Sequence, residues 1–132
     1  LMEGSLKAKD APDAWNSRMV EYLGIQPPND EQGILQDVHW SFGGFGYFPT
    51  YALGNLVSAQ LWERMASDLK DIDELVAQAQ FEPILGWLRE NVHRYGSKFE
   101  PQELVKKVTG SAITPEPYMR YLEKKFEEIY QL

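Results

Sequence analysis

Apolar side chains recur along this chain at helical rather than strand spacing. Trp15, Met19, Tyr22 and Leu23 stand at i, i+4, i+7 and i+8, which makes one stripe of a helix. Asp10 is placed to cap that helix, Pro12 falls in its first turn, Gly24 ends it, and Pro27-Pro28 prevents continuation. Asn29, three residues before Gln32, predicts a short helix running to about residue 37. Pro49 opens a longer helix to about Leu69, with Leu53, Leu56, Val57, Leu61 and Met65 on its apolar side.

The same punctuation continues downstream. Asp71 is a cap for a helix that turns Ile72, Leu75 and Val76 inward. Pro83 opens another with Ile84, Leu85, Trp87, Leu88 and Val92, closed by Tyr95-Gly96. Pro101 to Gly110 brackets a short helix carrying Leu104, Val105 and Val108. Thr114-Pro115-Glu116-Pro117 reads as a strong helix start, a cap followed by first-turn prolines and an acid. Tyr118, Leu122, Phe126 and Ile129 then make a final stripe. No alternating run argues for a strand, so the predicted fold class is all-α, and the 132 residues read as a single helical unit.

Composition narrows the function classes. The net charge of −7 repels a phosphate backbone, and no polybasic run suits an anionic lipid surface, so neither nucleic acid nor a membrane is an expected partner. The absence of cysteine excludes disulfides, thiolate zinc sites and cysteine nucleophiles, and fits a cytoplasmic location. Leu1 is not an initiator residue, and the expectation is a fragment or a chosen boundary. Aromatics reach 13%, with several concentrated in residues 41–48 among Gly43, Gly44 and Gly46.

Candidate chemistry is sparse. The only histidines are His39 and His93, and there is no HExxH, so no helix offers two imidazoles to a metal on one face. His93, near a predicted helix end, reads as structural or solvated. His39 sits between Asp37 and Trp40, just ahead of the glycine and aromatic loop. From composition alone, a histidine beside an acid is more often a satisfied core residue than a functional one. The glycines lack the Gly-Lys-Ser/Thr ending of a phosphate loop, and Glu123, Glu127 and Glu128 among lysines read as a solvated helix face.

Gly33-Ile34-Leu35-Gln36-Asp37-Val38-His39-Trp40 matches every fixed position of the GxxQDxHW motif of the thermostable, Taq-type metallocarboxypeptidases. The segment from Gly46-Tyr47-Phe48-Pro49 to Gly54-Asn55-Leu56 is similar to the family's next segment after that motif. The opening Gly4-Ser5-Leu6 and Ala14-Trp15-Asn16, and the ending Pro117-Tyr118-Met119-Arg120-Tyr121-Leu122-Glu123, are similar to its C-terminal region as well. The resemblance implies the C-terminal quarter or so of a two-lobed helical enzyme of roughly 500 residues. It also implies removal of C-terminal residues from peptides by a zinc-activated water.

Zinc or another divalent metal is then expected in the full-length enzyme. Its HExxH portion has no counterpart here, so this chain contributes no metal ligand, binds no cofactor and is expected to be inactive alone. Related helical zinc peptidases supply transition-state donors from a His and Tyr pair beyond the zinc helix. By that likeness His39, Tyr47 and Tyr51 are the candidate catalytic hydrogen-bonding residues. If the helix begins near Phe48, Tyr47 and Tyr51 share one side of its first turn. Asp37 would fix the His39 ring, Gln36 would bond substrate or backbone, and Trp40 would pack. Gly43, Gly44 and Gly46 would let the loop approach substrate or move on closure. Expected partners are the N-terminal portion of the enzyme, a peptide substrate and a second copy in a homodimer. A free-standing helical interaction module without catalysis is the competing expectation.

Overall fold

The computed structural model describes residues 1–132, and they form helices and turns with no strand. The backbone divides into two compact units, Leu1–Phe48 and Pro49–Leu132.

In the first unit, α1 (Ala11–Leu23) is preceded by a 3-10 turn at Ala8–Asp10. Asp10 keeps near-helical angles and its side chain makes no capping bond. The entry is stabilised by backbone instead, with the Ala11 N–H donating to the Ala8 carbonyl. At the other end Gly24 takes the left-handed conformation (φ 67°), and its N–H reaches back to Val20 across 3.0 Å.

The short helix expected up to residue 37 is not α-helical. The Asn29 side chain does accept the Gln32 N–H at 2.9 Å. Two 3-10 turns come next, Ile34–Gln36 and Val38–Phe42, broken at Asp37. The break has a local cause: the Asp37 carboxylate accepts the His39 N–H at 3.1 Å, which competes with continued helical bonding. Gly33, Ile34 and Asp37 are all buried. A Cβ on Gly33 would stand 3.0 Å from the Asn29 carbonyl and 3.2 Å from the Pro27 Cβ, so this packing requires a residue without one.

The second unit is built on α2 (Pro49–Leu69), which packs against α4 (Glu82–Asn91), α5 (Pro101–Thr109) and α6 (Glu116–Tyr130). Its core is Met65, Ile72 and Trp87, with Leu61, Leu69, Ile84 and Leu88 packed around them. Ile72 enters from α3 (Ile72–Ala77). Leu53, expected on the inner stripe of α2, is exposed, as is Val76 of α3. The expected caps at Asp71 and Thr114 make no side-chain capping bond. Asp71 is left-handed (φ 45°), and Pro115 takes the cap position of α6. His93 lies exposed in a 3-10 turn at His93–Tyr95.

One polar side chain is buried in this unit. Gln60, 4% exposed, directs its amide at the α5–α6 connection. Its Nε2 donates to Ser111 Oγ (2.8 Å) and to the Ala112 carbonyl (2.9 Å), and its Oε1 accepts the Thr114 N–H (3.3 Å). The Arg120 guanidinium forks onto both Glu63 carboxylate oxygens at 2.9 and 2.8 Å, tying α6 to α2 a second time. The stripe of α6 is only half used. Tyr118 and Leu122 are partly buried, while Phe126 and Ile129 are exposed. No helix is long and apolar enough to cross a membrane.

Candidate functional site

The best-organised polar centre of the first unit is the pair Asp37 and His39. The His39 Nδ1 lies 2.8 Å from Asp37 Oδ1, the same oxygen that accepts the His39 backbone N–H. The two side chains are 8% and 12% exposed. One carboxylate therefore fixes both the backbone and the ring of a residue two positions on. An ionised carboxylate only accepts, so the proton between them belongs to Nδ1. In the neutral ring, Nε2 is then an acceptor. In the imidazolium it is a donor.

Aromatic rings surround the imidazole. Phe42 meets it edge-on with centroids 5.6 Å apart, Tyr47 lies tilted at 5.0 Å, and Phe48 at 5.4 Å. Trp40 lies tilted against Phe45, with ring centroids 5.6 Å apart, and lines an apolar groove with Trp15, Met19 and Ile34. The turn that wraps the ring is closed by backbone bonds: Gly43 N–H to Trp40 (3.1 Å), Gly44 N–H to His39 (2.8 Å) and Tyr47 N–H to Gly44 (3.2 Å).

The structure brings together Asp37, His39, Gly44 and Tyr47 from the expected set. Phe42 and Phe48 join them, although neither was singled out from the sequence. Their signal was the run of aromatics around the glycines, which showed a cluster without showing which rings reach the histidine. Gln36 is exposed, and its amide donates to the Glu31 carbonyl at 2.6 Å. The helix begins at Pro49, the residue after Phe48. Tyr47 thus precedes it and does not share its first turn with Tyr51, which is an exposed residue of α2 in the second unit.

A metal site needs several converging donors. No three His, Cys, Asp or Glu side chains of this chain come together to hold an ion. These residues do not fit a catalytic metal.

The family model of the carboxypeptidase Taq (M32) metallopeptidases matches residues 1–126. The chain is 46% identical over 126 residues to thermostable carboxypeptidase 1 of Pyrococcus furiosus, covering 96% of this chain and 25% of that protein. It is 42% identical over 130 residues to thermostable carboxypeptidase 1 of Thermus thermophilus, covering 98% and 26%. Among solved structures, the M32 carboxypeptidase of Deinococcus radiodurans superposes with a TM-score of 0.91 at 39% identity, over 99% of this chain and 27% of that one. Trypanosoma cruzi metallocarboxypeptidase 1 gives 0.87 at 40% identity, over 96% and 27%. The chain spans about a quarter of the length of the relatives it matches.

Proposed function

This chain belongs to the carboxypeptidase Taq (M32) metallopeptidase family, and we propose that it forms the C-terminal, substrate-facing quarter of an enzyme that removes C-terminal residues from peptides. A divalent metal belongs to that family's chemistry, and zinc is our reading of which one. The rest of the same enzyme supplies it. The observation that carries the reading is the Asp37–His39 pair inside its aromatic turn, a largely buried, oriented imidazole at the centre of the matched motif.

The chain's own residues have definable tasks. Asp37 holds the Nδ1 proton and so makes Nε2 the ring atom that meets substrate. As imidazolium, His39 donates there to a peptide carbonyl or a C-terminal carboxylate. The phenols of Tyr47 and Tyr51 are donors suited to an oxygen on which negative charge gathers. Phe42, Tyr47 and Phe48 wall the ring and limit its rotation. The partners are the rest of the enzyme, a peptide substrate and a second copy, and the location is the cytoplasm.

The test uses the complete enzyme and the isolated chain side by side. His39→Ala in the complete enzyme should lower kcat/KM on a blocked dipeptide, with the fold and metal content retained. The isolated 132-residue chain should show no metal-dependent peptide cleavage. Full activity of the His39 variant, or metal-dependent carboxypeptidase activity of the isolated chain, overturns the proposal.

A further inference from the structure

Three glycines stand in the turn beside His39, and they are not equivalent. Gly43 and Gly46 have positive φ (81° and 76°), and a Cβ on either would meet open space. They shape the backbone. Gly44 is different: its φ is not in the left-handed range, but a Cβ there would lie 3.0 Å from the His39 carbonyl oxygen, 3.2 Å from the His39 Cβ and 3.1 Å from Phe42 Cε2. Two of those three atoms belong to His39 itself, and one is backbone, which cannot swing aside as a flexible side-chain tip would.

The same residue is bonded where it touches. The Gly44 N–H donates to the His39 carbonyl at 2.8 Å, so the turn is pulled onto the histidine's backbone. The His39 Cβ sets where the ring begins, and the ring is held by Asp37 at 2.8 Å. A methyl group pressed between Gly44 and His39 must move the His39 Cβ by a few tenths of an ångström. That displacement changes the Nδ1–Oδ1 separation and the angle at the shared proton, and a hydrogen bond weakens as it is bent away from linearity.

We propose that Gly44 is a positioning residue for His39: its missing side chain is the space against which the imidazole is seated toward Asp37. It acts through His39 rather than by meeting substrate or by letting the turn move. The inference rests on the reading of His39 given above and deepens it.

The experiment tracks the Nδ1 proton of His39 by nuclear magnetic resonance in this chain, with His93 as the solvated reference. In the wild type, a slowly exchanging Nδ1 proton shifted downfield is expected, together with protection of the Gly44 amide from hydrogen exchange. Gly44→Ala should move that proton upfield and broaden it by exchange with water. Gly44→Val should lose it. Gly46→Ala should lower stability through its positive φ and leave the His39 signal in place.

An unchanged signal in Gly44→Ala, or equal loss in Gly46→Ala, overturns the role given to Gly44. An unprotected Gly44 amide in the wild type does the same without any variant having to fold. A wild-type chain lacking the Nδ1 signal overturns the Asp37–His39 pairing and this inference together. None of these readouts depends on catalysis. Full activity of His39→Ala in the complete enzyme would therefore remove the functional role and leave the Gly44 contact standing.

Discussion

The indole N–H of Trp87 donates to the Asp68 carboxylate across 2.9 Å, joining α4 to α2 over the core of the second unit. The same carboxylate takes the Arg64 guanidinium, with Nε 3.0 Å away. The hydrogen bond from Trp87, and then those from Arg64, hold the Asp68 pKa below its ordinary value of 3.8.

A depressed native pKa means that the unfolded chain binds the proton more readily. The stabilisation is complete above the ordinary carboxylate range and is lost as pH falls through the native value. Stability measured by urea unfolding should therefore decline below about pH 4. Asp68→Asn should be less stable at neutral pH and should show a shallower acid decline. An unchanged acid limb in the variant would contradict the assignment.

Gln60→Ala should destabilise the second unit by roughly 2–3 kcal/mol. It strips partners from the Ala112 carbonyl and the Thr114 N–H and leaves a hole beside α2. Gln60→Leu should not rescue it, because shape without hydrogen bonds leaves those groups unpaired. Urea midpoints at constant slope measure both variants.

Asp37→Asn in the complete enzyme should lower kcat/KM by about tenfold to a hundredfold, the worth of one charge-assisted hydrogen bond. An amide can offer a donor as well as an acceptor to Nδ1, so the proton is no longer confined there. The variant should still fold, since an asparagine oxygen can accept the His39 N–H in place of the carboxylate. Circular dichroism beside steady-state kinetics separates the two effects.

The outer half of α6 presents Phe126 and Ile129 to solvent, with Tyr130 stacked on Phe126 at 5.8 Å. Apolar area of this kind drives association. The isolated chain should show a concentration-dependent mass by light scattering. Ile129→Lys should weaken the association about tenfold or more, the cost of losing a buried aliphatic side chain. A monomer at all concentrations would dispose of the expectation.

Helix positions were legible because proline and glycine act locally. Pro49, Pro101, Gly24 and Gly110 bound their helices where the sequence places them. Capping by Asp10, Asp71 and Thr114 was not legible in the same way. Whether a side chain turns back to cap depends on the preceding backbone, and here a 3-10 turn, a left-handed residue and a bond to Gln60 take over. The Asp37–His39 pair could be anticipated because its partners are two residues apart. Gln60 could not: it is one polar residue in an apolar helix, and its partners lie some fifty positions downstream. The unused half of α6 was invisible for a related reason. Periodicity reports that a face is apolar and not how much of it finds a neighbour within the chain.

Pro49 has one more consequence. A proline disfavours helical backbone at the residue before it, and its ring would clash with a preceding helical turn. Winding of α2 therefore cannot propagate backward into Phe48 and Tyr47, whose rings sit against His39. The boundary acts as a ratchet stop, so thermal growth and shrinkage of the longest helix in the chain end one residue short of the imidazole's enclosure.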